Sequence, residues 1–177
     1  TKFTGIHNIW SMFKDVLRQY RYILFLDDDI LVTVDSLNTL FKICEESRLD
    51  LAQMSLSKQS HCIWPALFNK RSHGKRPLNA VEIMMPVVSQ YAMQQIGGCF
   101  RESVSGFGLD LYFGKKLINE SKSNVVVIDD VVAMHEKPID SAGGSYYKYM
   151  RSKLINPKAE LWNLITKYEL ENDIYEL

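Results

Sequence analysis

The sequence predicts an α/β fold in which helices flank a mixed, mainly parallel sheet, with residues 1–177 forming one domain. Three features support this. An apolar run at residues 22–26 stops abruptly at Asp27, Asp28 and Asp29, and helix-like and strand-like periods alternate over the first 56 residues. No repeat, low-complexity tract or linker divides the chain, and a hydrophobic content of 46% is enough to fill a core.

Ile6, Ile9, Trp10, Phe13, Leu17 and Tyr20 recur at steps of three and four, so the chain should open with an amphipathic helix capped by Thr4. The strand at 22–26 follows, and Asp35 is placed to cap a second helix whose Leu37, Leu40, Phe41 and Cys44 share a face. Residues 49–56 read as the next strand. From 57 to 79 the period is broken by His61, Trp64, Pro65, His73, Gly74 and Pro77, as expected of a surface excursion, and Lys70, Arg71, Lys75 and Arg76 make it locally basic. A strand at 81–88 carries Glu82 near its start, and a short helix around 91–95 closes at Gly97 and Gly98. Ser105-Gly106-Phe107-Gly108-Leu109-Asp110 is a glycine-bearing turn that leads into a helix through Leu111, Phe113 and Leu117. Residues 125–128 form a strand, and 131–134 form a further one that ends at His135. Gly143 and Gly144 then permit movement beside Tyr146, Tyr147 and Tyr149, whose rings offer flat contact surfaces. Asn156 and Pro157 start a last helix, about 157–170, with Leu161, Leu164, Ile165 and Tyr168 on one side.

Lys plus Arg and Asp plus Glu both number 21, so there is no overall basic footprint, and nucleic acid is not an expected partner. Cys44, Cys62 and Cys99 are widely spaced and form no C-x-x-C pair, which argues against a disulfide framework or a structural zinc site. The expected compartment is therefore reducing: the cytoplasm, including the inner face of a membrane. No apolar stretch reaches the roughly 20 residues of a membrane helix, and no signal peptide is visible.

Packing Asp27, Asp28 and Asp29 together raises the energy of each charged group unless a cation lies among them, and a strand end is where α/β sheets open on a ligand crevice. Glu82, Asp110 and His135 also follow strand or turn signals. Carboxylates, a neutral imidazole and phosphate oxygens make a plausible octahedral set for magnesium or manganese. Asp110 follows two glycines, so a ligand can approach the backbone closely there; its carboxylate is placed either to cap a helix or to take a proton from an attacking hydroxyl.

With these motifs in place, the chain resembles the GT-A-fold glycosyltransferases, whose D-x-D signature ends a strand as Asp27-Asp28-Asp29 does after Tyr22-Ile23-Leu24-Phe25-Leu26. Val81-Glu82-Ile83-Met84-Met85-Pro86 and the turn from Ser105 to Asp110 are similar to a bacterial and plant subgroup once filed as a domain of unknown function. The likeness covers residues 3–147. It implies a nucleotide-sugar donor such as a UDP-sugar, a manganese or magnesium ion, and a glycan or glycolipid acceptor of the kind found in bacterial surface polysaccharides. By position it implies Asp29 and His135 on the metal, Asp27 and Asp28 near the ribose and diphosphate, Glu82 and Gly108 along the nucleotide sugar, and Asp110 as the base of an inverting transfer. Phe107 stands where relatives carry tryptophan, and Asp110 is a single acid where relatives often have two. GT-A enzymes normally open with a strand-helix-strand unit that holds the nucleotide base. None stands ahead of Thr1, so the sequence is either a fragment or builds that pocket differently.

Two alternatives remain open. In a haloacid-dehalogenase-type phosphatase Asp27 would be the nucleophile and Asp129 and Asp130 the later acidic pair, although Leu31 departs from that motif. In a non-catalytic carbohydrate-binding module Trp64, Phe107 and the tyrosines at 146, 147 and 149 would be sugar platforms, with the acids binding calcium.

Overall fold

A computed structural model describes residues 1–71, 74–138 and 140–177; His73 of the predicted excursion lies outside them. The elements run α1 (Lys2–Leu17), β1 (Tyr22–Leu24), β2 (Ile30–Leu31), α2 (Val34–Ser47), β3 (Leu51–Leu56), β4 (Lys75–Pro77), β5 (Val87–Ser89), α3 (Gln90–Ile96), α4 (Leu109–Ser121), β6 (Val125–His135), α5 (Ser145–Ser152) and α6 (Pro157–Tyr168). Helices flank a six-stranded sheet in the order β1-β5-β3-β6-β2, with β4 also paired to β6.

The sheet is mixed rather than mainly parallel. Among the described residues β3 and β6 form the parallel ladder, whereas β1–β5, β3–β5, β4–β6 and β2–β6 are antiparallel. The cause is the route of the chain after β3. It crosses the excursion and returns through residues 78–86, so that β5 enters between β1 and β3 against the direction of both. Every residue of β3 is buried, as expected for a strand covered on two faces.

The two apolar runs at 125–128 and 131–134 belong to one strand, not two. Met54 pairs with Ile128 but Ser55 pairs with Val132, so Asp129, Asp130 and Val131 are extra residues on β6. The predicted strand at 81–88 shrinks to Val87–Ser89. Pro86 has no N–H to give to a ladder, and the Glu82 N–H is taken instead by the Gln53 side chain at 2.7 Å.

Helix starts follow capping chemistry with small shifts. Thr33, not Asp35, caps α2 through its hydroxyl, leaving Asp35 in the first turn where a negative charge still favours the helix dipole. Thr1 rather than Thr4 caps α1, while Asn156 and Pro157 open α6 as expected. The predicted apolar stripe is only partly used: Ile6 is buried and Trp10 and Leu17 are half-buried, but Ile9, Phe13 and Tyr20 are exposed. The backbone leaves helical geometry at Phe13, and Trp10 packs so tightly on Gly97 that a Cβ there would lie 2.5 Å from the indole. The segment after residue 140 is held rather than loose. Asp140 accepts from the Ala142 and Gly143 N–H groups, and Ser145 onward is helical. No helix among the described residues is long and apolar enough to cross a membrane.

Candidate active site

Past the end of β1 the backbone keeps an irregular pairing: the Phe25 N–H donates to Pro86 O and the Asp27 N–H to Met84 O. That fixes Asp27 opposite the segment carrying Glu82. Lys2, at the first turn of α1, inserts between them. Its Nζ lies 2.7 Å from Asp27 Oδ1 and donates to the carbonyls of Ile83 (2.7 Å), Phe25 (3.2 Å) and Met84 (3.2 Å). An ammonium has three protons, and four acceptors already share them. Burial lowers the Lys2 pKa even though Asp27, Asp29 and Glu82 oppose the shift. Burial also raises that of Asp27, with Lys2 opposing and Asp29 and Asp28 adding to the rise. One half-buried lysine therefore sits among an excess of carboxylates.

Glu82 is half-buried and accepts a hydrogen bond from the Cys62 thiol at 3.3 Å. Burial pushes its pKa up to about 8; Asp110 is the next cause and Asp27 contributes, against the Cys62 hydrogen bond and Lys2. Asp110 thus exerts the strongest charge effect on Glu82, which brings the two acids into one neighbourhood although 28 positions separate them in sequence. Asp110 is only 8% exposed, in the first turn of α4, and its Oδ1 accepts from the Leu111 N–H at 2.9 Å. Burial raises its pKa to about 6, opposed by the N–H groups of Leu111 and of Asp110 itself. It is not the helix cap: Gly108 holds that position without a side-chain hydrogen bond.

Gly108 has φ +84, and a Cβ added there would meet Leu161 and Leu164 of α6 at 3.2 Å. Its lack of a side chain is thus explained by the turn and by helix packing. The turn is braced from α6 by Glu160, whose carboxylate accepts from Ser103 Oγ (3.0 Å), the Val104 N–H (3.1 Å) and the Ser105 N–H (2.8 Å). Glu160→Gln replaces one acceptor oxygen by an NH2 that faces donors. It is expected to cost about 1–3 kcal/mol of stability, read as a lower denaturant midpoint, because a charged acceptor is lost from three donors.

Asp29 and His135 meet through the β2–β6 ladder. Ile30 is in register with His135, and the Glu136 N–H donates to Asp29 O at 3.0 Å. His135 is 6% exposed, and its Nδ1 lies 2.5 Å from His61 O. A carbonyl can only accept, so Nδ1 carries the proton; in the neutral ring Nε2 is left with a lone pair. That atom lies 3.5 Å from Asp29 Oδ2, with Lys137 Nζ at 3.9 Å from the same oxygen. An imidazole lone pair fixed by its other nitrogen, beside a half-buried carboxylate, fits a divalent cation. Among the described residues no group of three or more His, Cys, Asp and Glu is assembled for a metal, so the protein would supply two donors and leave the others to phosphate oxygens and water. Asp28, by contrast, is exposed.

An open cleft of about 380 Å³ lies beside Asp27 and Lys2, with Phe3, Tyr146, Tyr149 and Met150 among its walls. Tyr146 donates to Ser105 O at 2.8 Å, and its ring lies nearly parallel to that of Phe107, 11° apart with centroids at 6.3 Å. The cleft wall and the glycine turn before Asp110 are therefore coupled.

No family model matches the chain, and no curated protein matches it. The expected basic surface is largely committed away from the cleft: Arg76 grips both oxygens of Asp129 (2.6 and 3.1 Å) and pairs with Glu176, Lys70 also pairs with Glu176, and Lys75 donates to Ser47 Oγ. Lys2, Gln53, Cys62 and Glu160 are parts of the site that sequence reasoning missed. Each acts on a segment 20 or more positions away, so no local period marks it.

Proposed function

We propose that this protein is a metal-dependent glycosyltransferase that moves a sugar from a nucleoside-diphosphate donor, with UDP as the first candidate, to a hydroxyl of a glycan or glycolipid. The observation that carries the reading is the placement of Asp27 and Glu82 around the half-buried Lys2, with Asp110 exerting the strongest charge effect on Glu82, beside the Asp29–His135 pair. A parallel β3–β6 ladder that delivers His135 to the D-x-D strand end suits a GT-A arrangement, which is part of the same proposal.

Asp29 and His135 would hold the cation, whose chemistry is to neutralise the departing diphosphate. Asp110 takes the proton of the acceptor hydroxyl. The oxygen's electron pair forms the new bond to the anomeric carbon as the bond from that carbon to the phosphate oxygen breaks, and the electron pair of the broken bond leaves with the nucleoside diphosphate. Attack opposite the leaving group inverts the anomeric centre. Lys2 orients Asp27 instead of binding phosphate, since its protons are already shared. The phosphatase alternative has less support: Asp27 is tied to Lys2, and Asp129 is engaged by Arg76.

Calorimetry with UDP tests the proposal. Binding is expected with manganese and is expected to weaken at least roughly tenfold on chelation or in Asp29→Asn, a loss of about 1.4 kcal/mol. UDP binding indifferent to both, or no UDP binding at all, would overturn it.

A further inference from the structure

Resting on the transferase reading, we propose that the cleft beside Asp27 is the acceptor subsite and that it receives a pyranose ring with its C–H face against Tyr149 and Tyr146. A volume of about 380 Å³ falls at the small end of ligand sites, which span about 300–1,000 Å³, and accommodates a sugar ring with its neighbouring linkage. The lining combines the rings of Phe3, Tyr146 and Tyr149 and the Met150 side chain with the polar residues Thr1, Lys2, Asp27 and Ser145. That pairing of an apolar face with a polar edge matches a pyranose, whose ring carbons present C–H groups and whose rim presents hydroxyls.

The same cleft is poorly suited to a diphosphate. Lys2 lies in its lining, and Asp27 together with three carbonyls shares the protons of that ammonium. Lys153 is not part of the lining and rests over the Tyr149 ring, 5.9 Å from its centroid. A phosphate entering the cleft would meet the Asp27 carboxylate with no spare proton donor from Lys2 to offset it. The Asp29–His135 pair, set on the β2–β6 ladder, is where the diphosphate belongs. The two ends of the reaction are thereby separated. The coupling of Tyr146 to Ser105 and Phe107 ties the acceptor wall to the turn that carries Asp110, so a ring seated on the wall is held in fixed relation to the base.

The experiment uses the whole chain in chelator, so that metal-dependent donor binding is silent. The probes are the methyl pyranosides of glucose, galactose and mannose, titrated by saturation-transfer NMR, with uridine as competitor. At least one glycoside is expected to bind in the millimolar range. Tyr149→Ala should weaken it roughly three- to tenfold, and Tyr149→Phe should restore it. Tyr149 is 46% exposed, so its truncation leaves the core untouched. No glycoside binding by the unmodified chain, unchanged binding in Tyr149→Ala, or displacement of the glycoside by uridine would each overturn the assignment. UDP–manganese binding, measured in parallel and expected to be unchanged in both variants, reports on the transferase reading separately: its absence from the unmodified chain sinks that reading whatever the glycosides do.

Discussion

Asp110→Asn is expected to lower sugar transfer by about 100- to 10,000-fold while leaving UDP–manganese binding intact, the range lost when a positioned general base is removed. The same variant should be more stable than the parent above pH 7. Burial raises the Asp110 pKa from the usual carboxylate range to about 6, so its contribution to stability is complete below the ordinary aspartate pKa and is lost as pH rises through about 6. Asparagine stays neutral and can still accept from the Leu111 N–H, so the gain at pH 8 is on the order of 2 kcal/mol. Transfer by the parent should fall as pH drops below about 6, when Asp110 binds its proton. It should fall again above about 8, when Glu82 ionises beside Asp110 and adds negative charge to the cluster. Paired measurements of kcat/KM against pH and of the urea midpoint decide the matter. Retained turnover with reduced stability would make Asp110 a structural residue of the first turn of α4.

The combination of lower activity and higher stability is the signature of a charge placed for chemistry rather than for folding. Asp27, Glu82 and Asp110 all have raised pKa values, with burial the largest cause in each, and Lys2 opposes the rise at Asp27 and Glu82. A fold that needed only to be stable would replace one of these carboxyls by an amide. A cation arriving at Asp29 and His135 would relieve part of the same excess, because Asp29 adds to the pKa rise of Asp27.

Local patterns make the α/β class and the glycine turn that leads into α4 legible in the sequence, whereas the strand expected at 22–26 ends at Leu24, two residues short of the acids. Tyr22–Leu24 is a strand for the reason its apolar run suggests, and α6 begins where Asn156 and Pro157 say it should. Strand direction is not legible, because it depends on how residues 57–86 route the chain to β5 and no period in that stretch encodes the return. The extent of β5 escapes a local reading because Pro86 and the Gln53–Glu82 hydrogen bond act across the sheet. The exposed stripe of α1 reads as core because Ile9, Phe13 and Tyr20 keep helical spacing, while burial is set by where Trp10 docks on Gly97. Asp29 and His135 are paired in the sequence only through the resemblance. Their proximity comes from the Ile30–His135 register, and the tautomer that exposes Nε2 comes from His61, whose backbone carbonyl leaves no mark in the sequence.

Arg76→Ala should destabilise the fold by about 3–5 kcal/mol, a larger loss than that expected of Glu160→Gln. Asp129 is 4% exposed, and both its oxygens receive the Arg76 guanidinium. The same side chain also donates to Ala66 O (2.8 Å) and Phe68 O (3.0 Å) and pairs with Glu176, so it joins the excursion, the extra residues of β6 and the C-terminus. Alanine withdraws the guanidinium from a buried carboxylate and leaves two carbonyls short of a donor. Arg76→Lys should recover only part of the loss, since an ammonium cannot span both oxygens in one plane. Arg76→Met combined with Asp129→Asn should come closer to the parent than either single variant, because both members of the charge pair are removed together. Urea denaturation of these variants tests this, and a loss below about 1 kcal/mol for Arg76→Ala would show the pair to be peripheral. The series also separates two roles for Asp129. As a structural anion, its substitution lowers stability while folded molecules bind UDP and manganese as before; as a metal ligand of a phosphatase site, it would abolish metal-dependent activity in molecules that remain folded.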